Sequence, residues 1–446
     1  MRSQPFDGST RDEAMVSSVQ QIQRAVLRVA VLMGLASMLV ACGSSGVALN
    51  EDPSAYAAEV KRLQARLAQS PADLVALQRL GIIYMRTGRP TKAYDTLKRA
   101  YAQEPDDPKT LFYLGLASES VGKVGTAREL YASYTQVPAD SKYRALLQGR
   151  LAWLERKEAR AQVRKALSRE RSMGQPVSPR VVAVLPFTYL AGDERYAVLK
   201  RGLSETIATD LANIDRLRVV ERVRLQALLD ELKLAQSQYV DPQTAPRVGR
   251  LLGAGRLVSG SYSVEDASIT FGLSFTGVAT GVSLPDRSTL TADLDRLFEV
   301  QNTLVYRVVE GLNVELTPQE EQAIERVPTR NLQAFLLYSR GLRLEDEGRY
   351  RAAAQQFGQA ARLDPSFQAA ARAKQRAMGL SATSGSIGQA FAGAQDGLEL
   401  SSTDAVSRRL QRLANSGLAL PTNSPTGTIG GTMSGDLPLP PAPPRP

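Results

Sequence analysis

The stretch LVALQRLGIIYMRTGRPTKAYDTLKRAYAQEPDD, residues 74–107, decides the fold of the first third of the chain. Its apolar and small residues recur thirty-four positions later, which predicts two stacked helical hairpins. Gly81 and its counterpart Gly115 allow the two helices of each hairpin to approach closely. Ala93 and Ala127 lie where those helices touch.

These positions resemble the tetratricopeptide repeat, a helix–turn–helix unit. The second unit departs from the pattern, because Ser118 replaces the usual aromatic residue and Pro138 stands one residue early. A further unit recurs late in the chain. The resemblance assigns structural roles to Leu77, Gly81, Tyr84, Ala93, Pro105, Gly115, Ala127, Gly341, Ala353 and Pro365. We expect these residues to form cores, and any partner to dock on the concave face of the repeats.

The flanking segments set the expected boundaries of the helical parts. Repeats with capping helices are expected over residues 55–172, where a long helix from about Lys142 to Arg171 serves as the second cap. The late repeat unit is expected over residues 329–378. From 379 to 446 the chain is rich in Gly, Ser and Pro, which predicts a disordered tail.

The periodicity changes at residue 180. The run RVVAVLPF, Arg180 to Phe187, is apolar after its first residue, as in a strand buried on both faces. From Ile269 to Ala279, apolar residues alternate with small or polar ones, which predicts a half-buried strand. Further strands are expected at 217–221, 257–263 and 282–290, and helices at 202–213, 222–234, 244–252 and 294–312.

This region, residues 180–328, resembles the CsgG family, the curli-production assembly and transport lipoproteins. The resemblance is carried by VAVLPF (182–187), LSETIATDL (203–211), VVER (219–222) and VGRLLGA (248–254). The same αβ core is similar to the amino-terminal domain of TolB. The expected fold class is therefore α+β and multidomain, with tetratricopeptide α-solenoid segments flanking a CsgG-like αβ domain that contains a small mixed sheet.

Cys42, the single cysteine, ends a short apolar run that two arginines precede. Such a run is too short to span a bilayer and is typical of a secretory signal. The sequence LVACG resembles the bacterial lipobox, which implies cleavage before Cys42 and lipid attachment to it. Residues 1–41 are thus expected to be a lipoprotein signal peptide, and residues 42–54 a tether. Because Gly43 follows the cysteine, the resemblance points to the outer membrane, with the body facing the periplasm.

The composition excludes several kinds of chemistry. The 446 residues contain no histidine and one cysteine, which excludes imidazole or thiolate metal sites and Ser-His-Asp or Cys-His catalysis. There is no phosphate-binding loop. We therefore expect no metal, no cofactor and no enzymatic activity, with carboxylate-based action on wall glycans as the enzymatic alternative. Despite the net charge of +10, we expect no nucleic-acid binding outside the cytoplasm.

Two charged motifs are expected to lie at surfaces. A basic face on the long helix, which includes Arg156, Arg160 and Arg164, is predicted to be solvated, with contact to an anionic envelope surface as the alternative. Glu221 and Arg222 are predicted to form a salt-bridged edge or a subunit contact, or to be plain surface charges.

The expected function is a protein-binding scaffold in envelope assembly or export, which binds envelope proteins through its repeats and its αβ domain. The alternative is a subunit of an oligomeric curli-type secretion channel in the outer membrane. The resemblance implies two membrane hairpins per subunit of such a channel, and these need four alternating strands of about 9 to 11 residues. Only Ile269 to Ala279 and, more weakly, Val282 to Leu290 fit that pattern. A homo-oligomeric state stays open.

Overall fold

The structure, a computed structural model, describes residues 49–170, 177–233, 244–285 and 289–395. The expected signal peptide 1–41, the lipidation site Cys42 and residues 396–446 of the tail lie outside the described residues. The described chain up to Ala394 forms one compact unit. Among these residues, no helix combines the length and the apolar composition that crossing a bilayer requires.

The described chain opens with a helical array: α1 Ala57–Gln69, α2 Leu74–Arg86, α3 Pro90–Gln103, α4 Pro108–Ser120, α5 Val124–Ala132 and α6 Lys142–Arg169. Aspartates cap α2 and α4. Asp73 accepts a hydrogen bond from the backbone N–H of Ala76, and Asp107 accepts one from that of Thr110. The apolar sides of α1 to α5 and the first half of α6 share one core.

A mixed sheet follows: β1 Ser178–Val184, β2 Thr188–Gly192, β3 Arg218–Val219, β4 Ala254–Glu265, β5 Ser268–Gly277, β6 Ser283–Pro285 and β7 Leu290–Asp293. The strand order is β3-β1-β4-β5-β6, with β2 beside β4 and β7 beside β5. β1 is parallel to β3 and β4, β2 is parallel to β4, and the pairs that β5 makes are antiparallel.

The strand expected over 282–290 is described at Ser283–Pro285 and again from Leu290, and residues 286–288 lie outside the described residues. β2 was not expected, because it lies at an edge where its last three residues are exposed and leave no apolar pattern.

Helices cover both faces of the sheet. α7 Leu199–Leu211 and α10 Leu297–Gly311 share a core with one face. α8 Arg222–Leu232, α9 Ala245–Leu252 and the second half of α6 cover the other. A short helix, α11 Pro318–Ile324, follows α10. The alternating strand β5 buries Ile269, Phe271 and Leu273 in the first core.

The described chain ends with α12 Leu332–Asp346, α13 Tyr350–Leu363, α14 Gln368–Thr383 and α15 Ile387–Gln395. The prediction of disorder from residue 379 onward is therefore wrong for residues 379–395. Leu380, Ala390 and Phe391 are buried, so this Gly- and Ser-rich segment contains enough apolar residues to join a core. Helical repeats around a mixed sheet confirm the predicted α+β class.

Candidate functional site

Glycines set the closest helix approaches in the first two repeats. A Cβ added to Gly81 would lie 2.5 Å from Cγ of Leu97 in α3. A Cβ added to Gly115 would lie 2.3 Å from Cε1 of Tyr131 in α5. Any larger side chain at either position would separate the two helices of its hairpin.

The late unit uses the same device, because a Cβ added to Gly341 would lie 2.5 Å from Cε1 of Phe357. Four other predicted repeat positions are completely buried: Leu77, Ala93, Ala127 and Ala353. Tyr84 is also buried. Pro105 and Pro365 are exposed and lie just beyond the ends of α3 and α13.

Helix α6 extends the helical array, but the chain after α6 enters the sheet instead of forming the second helix of a hairpin. Its Gly149 stands thirty-four residues after Gly115, at the position where the helices of the earlier units meet. A Cβ added to Gly149 would lie 2.0 Å from the carbonyl carbon of Gly379 in α14. A Cβ added to Gly379 would lie 1.8 Å from the carbonyl oxygen of Ala145. Against α6, helix α14 therefore takes the place that the second helix takes in the first two units.

Helix α15 extends the same period. Phe391 and Ala394 stand thirty-four residues after Phe357 and Ala360, and both are buried in the core of the N-terminal array. The Phe391 ring meets Tyr113 of α4 edge-on, with 5.7 Å between ring centroids. The C-terminal helices thus complete the N-terminal array, and the 34-residue period was the sequence signal that would have revealed them.

Arg150 of α6 stabilises the contact between the C-terminal helices and the N-terminal array. Its guanidinium donates to both carboxylate oxygens of Glu119, at 2.8 and 2.9 Å. It also donates to the carbonyl oxygens of Thr383, at 2.6 Å, and Gly385, at 3.1 Å. Arg150 is 2% exposed, so these charge-assisted hydrogen bonds form away from water. They tie the turn between α14 and α15 to α4 and α6.

A second group of charges, buried or half-buried and here called the junction cluster, joins five helices. Its members are Arg156 of α6, Arg201 and Glu205 of α7, Arg222 of α8, Glu345 and Asp346 of α12, and Arg376 of α14. Glu345 accepts from Arg156 at 2.5 Å and from Arg376 at 2.9 Å. Arg222 lies 3.1 Å from Glu205 and also contacts Asp346.

The arginines of the junction cluster stabilise the ionised form of Glu345. Burial alone would raise the pKa of the Glu345 carboxyl, but the guanidinium groups of Arg376 and Arg222 hold that pKa well below its usual range. A buried charge that loses its partner is destabilising by about 3–5 kcal/mol. The cluster therefore favours one arrangement of the repeats around the αβ domain.

Two predictions about surface charges are corrected by this cluster. Arg156 is 7% exposed rather than solvated, because its partner Glu345 arrives from a distant part of the chain. Arg222 forms ion pairs, but with α7 and α12, and it does not make a surface pair with Glu221.

A groove of about 280 Å³ opens between α6 and β3, the outermost strand beside β1. We call it the α6–β3 groove. Glu155 and Ala159 of α6 line one side, and Val219 of β3 lines the other. Glu221 and Arg224, at the start of α8, also line it.

Both paired and unpaired charged groups line the groove. Burial raises the pKa of the Glu155 carboxyl, and the Glu221 carboxylate raises it further. Arg224 has a buried Nε without a hydrogen-bond partner in the described part of the chain. Arg128 and Glu158 form an exposed ion pair at 2.5 Å. In the described ranges, no group of three or more acidic, Cys or His side chains could hold a metal ion.

Family models match two parts of the chain. Residues 164–319 match the model described as Curli production assembly/transport component CsgG, and residues 74–118 match a tetratricopeptide repeat model. These matches confirm the prediction that a CsgG-like domain is combined with tetratricopeptide repeats. Among curated proteins, none matches the chain at a significant level.

Three solved structures are found to be similar to parts of this chain. The LpoB C-terminal domain from Salmonella enterica is 17% identical, with a TM-score of 0.21 over 30% of this chain and 94% of its own. A tetratricopeptide repeat protein from Parabacteroides merdae is 14% identical, with a TM-score of 0.20, and the match covers 75% of this chain and 100% of that protein. Yeast Tom70 is 12% identical, with a TM-score of 0.21, and the match covers 83% of this chain and 73% of the Tom70 chain.

Proposed function

We propose that this protein is a non-catalytic scaffold that binds envelope proteins during assembly or export, and that a lipid on Cys42 holds it at the periplasmic face of the outer membrane. The matches to the CsgG and tetratricopeptide models support a protein-interaction role in the cell envelope. The anchor and the side of the membrane rest on the lipobox-like sequence around Cys42.

The junction cluster carries this proposal. A scaffold must keep its binding surfaces in a fixed relation, and Glu345 is held by arginines from α6, α8 and α14. The close contact of Gly149 with Gly379 adds a second connection between the early and late helices. Both features fix the repeats against the αβ domain, as a scaffold requires.

The anchor is tested by fractionation of cells that produce the Cys42→Ser variant, with Ser44→Ala as the matched control. We expect the wild-type chain and Ser44→Ala to stay with the outer membrane after a carbonate wash, and Cys42→Ser to be released into the periplasm. Recovery of Cys42→Ser in the washed membrane pellet would contradict the anchor.

A further inference from the structure

The open edge of β3 forms one wall of the α6–β3 groove. Val219 stands opposite Val182 of β1, and the N–H of Val220 donates to the carbonyl oxygen of Val182 at 2.8 Å. Because the backbone groups of successive strand residues point to opposite sides, the N–H and C=O of Val219 point away from β1. On that side, no strand of the described chain pairs with β3.

Helix α6 forms the opposite wall. Glu155 and Ala159 stand one helical turn apart and both line the groove. A groove between an edge strand and a helix is a recurring site at which an extended peptide adds as a further strand. A helical peptide would leave the N–H and C=O of Val219 without partners, because its own backbone groups are bonded internally.

Charges of both signs line the groove: three arginines (Arg128, Arg218 and Arg224) and three glutamates (Glu155, Glu158 and Glu221). Glu155 and Glu221 repel each other, and neither forms an ion pair within the described chain. A Lys or Arg side chain between these carboxylates would relieve that repulsion. The buried Nε–H of Arg224 would be satisfied by a carbonyl oxygen of the same extended backbone.

We propose that the α6–β3 groove binds an extended segment of a partner protein, which adds as a strand to β3 and places a Lys or Arg side chain between Glu155 and Glu221. The inference rests on the proposed scaffold function and specifies the class of segment that the scaffold recognises. Backbone pairing at Val219 supplies affinity, and the two carboxylates select the side chain.

The test uses the full-length, detergent-solubilised protein and fluorescein-labelled pentapeptides read by fluorescence polarisation. The probe is Thr-Val-Lys-Val-Thr, and its comparison peptide carries glutamate at the centre. We expect the glutamate peptide to bind at least about tenfold more weakly. Glu155→Gln should weaken binding of the lysine peptide by about tenfold, whereas Glu299→Gln, at an exposed site on α10, should leave it unchanged.

Strand addition is tested separately from charge. Val219→Pro removes an N–H that points away from β1, so it should abolish binding without breaking the β1–β3 pair. N-methylation of the peptide backbone tests the same bonds with an unaltered protein, and should weaken binding at least about tenfold. Equal binding of the lysine and glutamate peptides, no binding of either, or full binding after N-methylation would overturn the inference. Those results would leave the scaffold function standing, because it is tested by recovery of envelope partners.

Discussion

Gly149 in α6 and Gly379 in α14 bring two helix backbones into direct contact, and neither position has room for a Cβ. Between these two residues the chain leaves the helical array, builds the αβ domain and returns. The contact therefore closes the early and late helices around that domain. The junction cluster lies where the same helices meet α7 and α8.

Gly379→Ala tests this closure. The added Cβ would meet the carbonyl oxygen of Ala145 at 1.8 Å, so α14 must shift, and we expect a loss of about 1–3 kcal/mol in unfolding free energy. Gly358→Ala in α13 is the control, because its nearest neighbour would lie 3.5 Å away. That control should be neutral or gain up to about 1 kcal/mol. Equal denaturation midpoints for both variants would contradict the close contact.

Glu345→Gln tests the junction cluster. Loss of the carboxylate leaves three arginines facing a neutral amide, and we expect a destabilisation of about 3–5 kcal/mol in urea unfolding. Glu347→Gln, at the residue directly after α12, removes only exposed pairs with Arg343 and Arg349 and should cost less than about 1 kcal/mol. A Glu345→Gln midpoint as high as that of Glu347→Gln would show that the cluster contributes nothing.

Phe391→Ala tests whether α15 is part of the core. Phe391 is 1% exposed and packs against Tyr113, so its truncation should cost about 3–5 kcal/mol. Met378→Ala, in α14 and 49% exposed, is expected to change stability by less than about 0.5 kcal/mol. Thermal unfolding measured by circular dichroism separates the two, and an unchanged melting temperature for Phe391→Ala would rule out this packing.

The buried carboxyl of Asp210 in α7 should make the stability of the folded protein depend on pH. Burial raises the pKa of its carboxyl to about 7, whereas the unfolded chain loses that proton near pH 4. Between about pH 4 and pH 7 the folded state holds a proton that the unfolded state has lost, so this group's contribution to stability falls as the pH rises.

Asp210→Asn should therefore stabilise the protein at pH 8, on the order of a few kcal/mol, and have little effect at pH 4. Melting temperatures of the variant and the wild type at both pH values measure the difference. Asp295→Asn, at an exposed site, serves as the control. A gain for Asp210→Asn that is the same at both pH values would contradict the titration of a buried carboxyl.

Local periodicity made the repeats predictable from the sequence, because Gly81 meets a partner, Leu97, in the very next helix. The partner of Gly149 is Gly379, which belongs to a different part of the chain, so local periodicity does not indicate this contact. For the same reason the sequence predicts a solvated Arg156, and a salt-bridged edge, a subunit contact or a plain surface charge at Arg222. Their carboxylate partners include Glu345, and only the fold brings these residues together.

Quantitative mass spectrometry of proteins that co-purify with the tagged chain from chemically crosslinked envelopes of the source cells tests the scaffold role most directly. We expect the wild-type chain to recover a reproducible set of envelope proteins, and Cys42→Ser to recover markedly less of that set because it is no longer held at the membrane. Recovery of the wild-type chain alone from crosslinked envelopes would contradict the scaffold role.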